Sequence, residues 1–237
     1  MGGAEPRGHR ARAAAGVALT PAPLPPHGGQ PVVTAGVPLA ECRAAVIMVH
    51  GRNAAPPNIL DLVPRIDQPG FAYLAPAAAG KTWYPYSFMA ERERNEPGLS
   101  SGLSVLAHLV AQVEGGGITK DRIVLLGFSQ GACLTAEFAV RHAARFGAVI
   151  LYSGGLIGPE GTAWDYAGRF DGTPVLLGCS DVDGHVPKTR VDASAEVFAR
   201  MGAEVTERIY PGMGHLVNDD EIGFTRMLLR RLVVTPA

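Results

Sequence analysis

The sequence predicts one α/β domain: a mostly parallel sheet with helices on both faces. Three observations carry that reading. Short apolar runs alternate with helical patterns along most of the 237 residues. The run at 122–126 passes through Gly127-Phe128-Ser129-Gln130-Gly131 straight into a helical pattern. Polar residues able to do chemistry collect in the segments that follow the strands, where sheets of this kind carry their functional groups.

The elements follow in order. Ala44–Val49 (AAVIMV) is a strand, 58–66 a short helix, and Phe71–Pro76 (FAYLAP) a second strand. Segment 101–113 places Leu103, Leu106, Val110 and Val113 on one helical face. Residues 122–126 form a short buried strand enriched in β-branched residues, and 132–142 (ACLTAEFAVRH) a helix rich in good helix formers. Two further apolar strands, 147–152 and 174–179, are separated by a glycine-rich loop that begins at Ser153. A helix over 188–201, an alternating strand at Glu204–Tyr210 and an amphipathic helix over 219–232 complete the pattern. No insertion between strands is long enough for a large cap domain.

Length suits one well-filled domain and is short for two. A net charge of −1 gives no global field that favours nucleic acid or an anionic membrane surface, so a small, fairly neutral partner is expected. No run approaches the ~18 apolar residues of a membrane span. The three cysteines Cys42, Cys133 and Cys179 are odd in number and lack metal-ligand spacing; the last two read as buried free thiols, which favours a reducing, cytoplasmic setting. Neither a metal nor a cofactor is expected. Residues 1–29 are rich in Pro, Gly, Ala and Arg and read as a disordered extension, with the α/β domain at 30–237. Assembly as a homodimer is left open.

The stretch 127–131 fits G-x-S-x-G, but with 30 glycines in the chain roughly 0.13 accidental matches are expected. Its setting decides the matter, because a nucleophile elbow needs a buried strand before it and a helix after it. Both are present. Such a turn lifts the Ser129 hydroxyl clear of the sheet and aims the first helical amides, that of Gln130 among them, at a developing negative charge.

A serine hydroxyl is a poor nucleophile unless a base takes its proton as it attacks, and histidine is suited to that exchange. His215, in the loop Pro211-Gly212-Met213-Gly214-His215 after the last strand, is the candidate base. His185 is a rival that more plausibly lines the pocket, and His50 reads as a structural hydrogen-bonder. His9, His27, His108 and His142 read as surface or tail residues. The orienting carboxylate is Asp181 or Asp183, both in the loop after 174–179. The order Ser, Asp, His is that of the α/β-hydrolase fold.

GFSQGA at 127–132, the His50-Gly51 loop, Asp183-x-x-Val186-Pro187 and the loop ending at His215 together resemble the phospholipase/carboxylesterase family of α/β hydrolases. That family includes bacterial carboxylesterases and acyl-protein thioesterases. The resemblance runs from about residue 31 to the C-terminus. It implies Asp183 as the triad acid, three residues before Val-Pro, although Gly184 stands where the family usually has proline. It also implies an oxyanion hole made by the backbone N–H groups of Arg52 and Gln130. Relatives commonly have an apolar residue at the position of Arg52, so a second role for its guanidinium, meeting a substrate carboxylate, is a further expectation.

The aromatic stretch Lys81–Phe88 (KTWYPYSF) offers a substrate wall. Trp83 and Tyr84, with Leu156, His185 and Met213, are the expected pocket residues. The resulting expectation is a serine hydrolase that cleaves small carboxylic esters of short to medium acyl chain through an acyl-enzyme. Thioester cleavage on acylated proteins or acyl carriers, and a silent scaffold that only binds a ligand, are the alternatives.

Overall fold

The computed structural model describes residues 22–234. Seven strands form one sheet: β1 (Val32–Gly36), β2 (Ala44–Val49), β3 (Phe71–Pro76), β4 (Ile123–Phe128), β5 (Ala148–Tyr152), β6 (Pro174–Ser180) and β7 (Glu204–Tyr210). Their order across the sheet is β1-β3-β2-β4-β5-β6-β7. Every neighbouring pair is parallel except β1 with β3.

Among the described residues six α-helices cover the sheet: α1 (Pro56–Leu60), α2 (Val63–Ile66), α3 (Gly98–Gly115), α4 (Gln130–Arg141), α5 (Lys188–Arg200) and α6 (Asp219–Val234). Side chains of a strand alternate between faces, so β2 feeds two cores. Ala45, Ile47 and Val49 pack with residues of α3, α4 and α5; Ala44, Val46 and Met48 pack with residues of α1, α2 and α6. β2 and β4 are buried along almost their whole length, which is what a parallel strand covered on both faces requires.

Three expectations need adjustment. β1 was not foreseen: it is an edge strand, mostly exposed, and lacks the apolar run that marks the central strands. The single helix expected at 58–66 is two, broken at 61–62. Pro64 has no N–H to offer the carbonyl of Leu60, so one continuous helix would lose a bond there.

The third concerns the boundary at residue 30. Residues 22–29 pack on α3: the Leu24 and His27 amides both donate to serine hydroxyls, Ser104 Oγ at 2.8 Å and Ser101 Oγ at 2.9 Å, and Ser101 Oγ donates to the Leu24 carbonyl. His27, read from sequence as a tail residue, is buried. Its Nδ1 accepts the Ala79 amide at 3.0 Å and its Nε2–H donates to the Trp83 carbonyl at 2.9 Å. The remainder of the expected extension, 1–21, lies outside the described residues.

Candidate active site

β4 ends at Phe128 and α4 begins at Gln130, so Ser129 occupies the turn between them with φ 55° and ψ −122°. Positive φ at a non-glycine residue is strained, of order 1–3 kcal/mol. The flanking glycines make it sterically feasible. A Cβ on Gly127 would stand 2.5 Å from the Gly131 carbonyl oxygen, and one on Gly131 would stand 2.2 Å from that of Val49. The Ser129 amide donates to the Tyr152 carbonyl at 2.9 Å, which fixes the turn to β5.

Three loops at the carboxyl ends of β4, β6 and β7 meet here. Ser129 Oγ lies 2.8 Å from His215 Nε2, and His215 Nδ1 lies 2.7 Å from Asp183 Oδ2. The Asp183 side chain is fully buried; its Oδ1 accepts the amides of His185 (2.8 Å) and Val186 (3.0 Å), and the Cys179 thiol points at Oδ2 from 3.6 Å. Burial alone pushes this carboxyl up, but the His215 N–H and the two amides outweigh it and hold Asp183 below the usual carboxylate value. Ionised Asp183 can only accept, so the His215 proton sits on Nδ1 and Nε2 is left to accept from the serine hydroxyl.

Asp181 does something else: its Oδ1 accepts the Gly212 amide at 2.8 Å, tying the β6 loop to the β7 loop. His50 is buried and holds the loop that carries Gly51 and Arg52. Its Nε2 accepts the Ala78 amide at 3.2 Å, its Nδ1–H donates to the Gly51 carbonyl at 2.8 Å, and burial lowers its pKa. His185 stacks edge-on against His215, ring centroids 4.7 Å apart, and Phe128 packs against the same imidazole at 5.0 Å.

A cavity of about 560 Å³ opens over Ser129. Arg52, Gln130, His185 and His215 line it with Tyr84, Pro85, Tyr86, Phe88, Phe128, Cys133 and Val186. Of the expected pocket residues, Tyr84 and His185 line this cavity. Trp83 is not: it is fully buried beneath the wall, its indole N–H donating to the His50 carbonyl at 2.9 Å. Leu156 is also fully buried and away from the cavity, because the loop after β5 turns into the core. Met213 is outside the lining as well; its sulfur lies 3.0 Å from Asn218 Nδ2.

The sequence reading offered Tyr86 and Phe88 only as part of the Lys81–Phe88 stretch and missed Phe128, Cys133 and Val186. Phe128 and Val186 had a usable signal, since each sits inside a motif that had been located. The Arg52 guanidinium is engaged by three carbonyls, Tyr84 (3.0 Å), Pro85 (2.8 Å) and Tyr86 (2.7 Å), rather than left free for a substrate carboxylate. Among the described residues no group of three or more His, Cys, Asp or Glu could hold a metal ion, and no helix is long and apolar enough to cross a membrane.

Fold and site together have the arrangement of the α/β-hydrolase class. The chain belongs to the phospholipase/carboxylesterase family, which it matches over residues 38–232. It is similar to the phospholipase/carboxylesterase of Dyadobacter fermentans, with 38% identity and a TM-score of 0.81, covering 86% of this chain and 97% of that one. It is also similar to acyl-protein thioesterase 1 of Gibberella zeae, 29% identical over 143 residues, which are 59% of this chain and 60% of the relative. The match thus spans about three fifths of that curated relative's length. SOBER1 of Arabidopsis thaliana shares the fold alone, with 17% identity and a TM-score of 0.68 over 81% of this chain and all of that one.

Proposed function

We propose that the protein hydrolyses small carboxylic esters of short to medium acyl chain through an acyl-enzyme formed on Ser129. The observation that carries the reading is the unbroken chain of hydrogen bonds from Ser129 Oγ through His215 to the buried Asp183. Ser129 Oγ attacks the ester carbonyl carbon while His215 Nε2 takes its proton. The carbonyl electrons move onto oxygen, and the resulting oxyanion is met by the amides of Arg52 and Gln130, each donor of this kind contributing about 2.7–4 kcal/mol. Gln130 begins α4, so its amide has no acceptor within the helix and the helix dipole reinforces it.

Collapse of the tetrahedral species breaks the bond to the alcohol oxygen, which takes the proton from His215. Water then attacks the acyl-enzyme by the same route, and the free acid leaves. Asp183 orients the imidazole and stabilises its charged form in both halves of the cycle.

Thioester hydrolysis is the second reading, favoured by the similarity to a protein named acyl-protein thioesterase 1. It uses the same steps with a thiolate as leaving group. On either reading the protein works in the cytoplasm, a compartment suited to the free Cys42, Cys133 and Cys179.

The deciding experiment is intact mass after treatment with a fluorophosphonate, run on the wild type and on Ser129→Ala. One adduct on the wild type and none on the variant is expected, followed by turnover on p-nitrophenyl ester and acyl-thioester panels. No adduct on either protein would overturn the hydrolase reading in favour of a ligand-binding scaffold.

A further inference from the structure

The two residues whose amides are assigned to the oxyanion hole also hold one wall of the cavity with their side chains. Arg52 donates to three successive carbonyls, those of Tyr84, Pro85 and Tyr86. The Gln130 side chain reads the same segment: Oε1 accepts the Trp83 amide at 2.9 Å and Nε2 donates to the Tyr84 carbonyl at 2.8 Å. Tyr84 O thus accepts from both. Behind the wall, buried Asn95 accepts the Tyr86 amide at 2.9 Å and donates to the Ser87 carbonyl at 2.9 Å, and the Arg94 guanidinium lies 4.5 Å from the Tyr86 ring.

This segment has no regular secondary structure to hold it. Residues 83–88 lie between a single 3-10 turn at Ala79–Lys81 and another at Arg92–Asn95, so their carbonyls have no helix or strand partners. An arginine has five N–H donors in a rigid fork, and three of them here replace that missing backbone pairing. No shorter or apolar side chain at position 52 can do the same.

We propose that Arg52 is a positioning residue that sets the aromatic wall of the ester cavity and with it the selectivity for acyl length. The inference rests on the ester-hydrolase reading for its consequence, and on the clamp geometry for its cause. A two-carbon acyl group stays beside Ser129 and senses the wall little. A longer chain must lie along Tyr84, Tyr86 and Phe88, so its binding depends on the wall being held in place.

The test compares wild type, Arg52→Met and Arg52→Lys on p-nitrophenyl acetate and p-nitrophenyl octanoate, with hydrogen–deuterium exchange of peptides covering 82–88. Arg52→Met is expected to lower kcat/KM for both esters but to lower the octanoate-to-acetate ratio at least tenfold, mainly through KM, and to speed exchange in 82–88. Arg52→Lys, which keeps the charge and part of the hydrogen bonding, should fall between the two.

An unchanged ratio in a hydrolysing enzyme overturns the proposal, as does unchanged exchange in Arg52→Met. A loss confined to esters that carry a carboxylate also overturns it, by returning the guanidinium to substrate recognition. If wild type hydrolyses neither ester, the ester-hydrolase reading fails, while faster exchange in Arg52→Met still supports the clamp.

Discussion

Asp183 Oδ2 stands 2.7 Å from His215 Nδ1, while the neighbouring carboxylate in the same loop, Asp181, accepts the Gly212 amide instead. Two acids separated by one residue therefore face different partners, and their substitution should separate cleanly. Asp183→Asn replaces an obligate acceptor with an amide that can present N–H to Nδ1, favouring the wrong tautomer of His215. On the scale known for such changes, kcat should fall about 10⁴-fold. Asp181→Asn keeps an oxygen for Gly212 and should cost less than about tenfold. Steady-state kinetics on a p-nitrophenyl ester checks this, and the reverse ranking would move the triad acid to Asp181.

His215 Nε2 stands 2.8 Å from Ser129 Oγ, while His185, the rival base, stacks on His215 and lines the cavity. His215→Gln removes the acceptor of the serine proton and should lower kcat by orders of magnitude. His185→Gln leaves that bond intact and should cost less than about tenfold. Steady-state kinetics of the two variants on one p-nitrophenyl ester checks the pair, and the reverse ranking would assign the proton transfer to His185.

How much of this was legible before any coordinates followed from how strongly each part is constrained. The central strands announced themselves because β2 and β4 are buried on both faces and must be apolar throughout. β1 did not, because an exposed edge strand pairing antiparallel with β3 needs no such run. Ser129, Asp183 and His215 were readable as residues in loops at one sheet edge, since turn geometry and chemistry both restrict what can stand there.

Lys81–Phe88 was readable as a wall, but not which of its side chains face the cavity. Trp83 and Tyr84 are adjacent and both aromatic, yet one goes under the wall and the other forms it. A loop has no side-chain period to separate them. The clamp by Arg52 was equally hidden, because it joins a side chain to carbonyls more than thirty positions away, and carbonyls carry no sequence signature.

Glycines at two places should respond in opposite directions to the same substitution. A Cβ on Gly131 would meet the Val49 and His50 carbonyl oxygens at 2.2 and 2.5 Å, both backbone atoms of a central strand and its loop. Neither can move without disturbing the sheet, so Gly131→Ala should lose about 3 kcal/mol or more. Gly115 ends α3 in the open, with nothing within 4 Å of the added carbon. Gly115→Ala should gain about 0.4–1 kcal/mol by restricting the unfolded chain and favouring helix. Urea unfolding of both variants reads the pair. Equal effects would mean that the elbow relaxes in a way its contacts do not allow for.

Stability should also carry a signature of Glu221, a carboxyl the proposed chemistry does not use. Its side chain is buried in the first turn of α6, where Oε2 accepts the Asn218 amide at 2.8 Å and Oε1 has no partner. Burial pushes its pKa from the ordinary 4.5 up to about 7, only partly opposed by the Asn218 amide. The fold thus holds this proton more tightly than the unfolded chain does. The contribution is full below about 4.5 and is lost as pH rises through about 7, by an amount on the order of 3 kcal/mol. Glu221→Gln keeps the shape and the bond from Asn218 but cannot ionise. Urea midpoints at pH 5 and pH 8 should therefore fall further for the wild type than for the variant. If both proteins lose the same stability over that interval, Glu221 is not the group that titrates, and the alkaline loss belongs elsewhere in the fold.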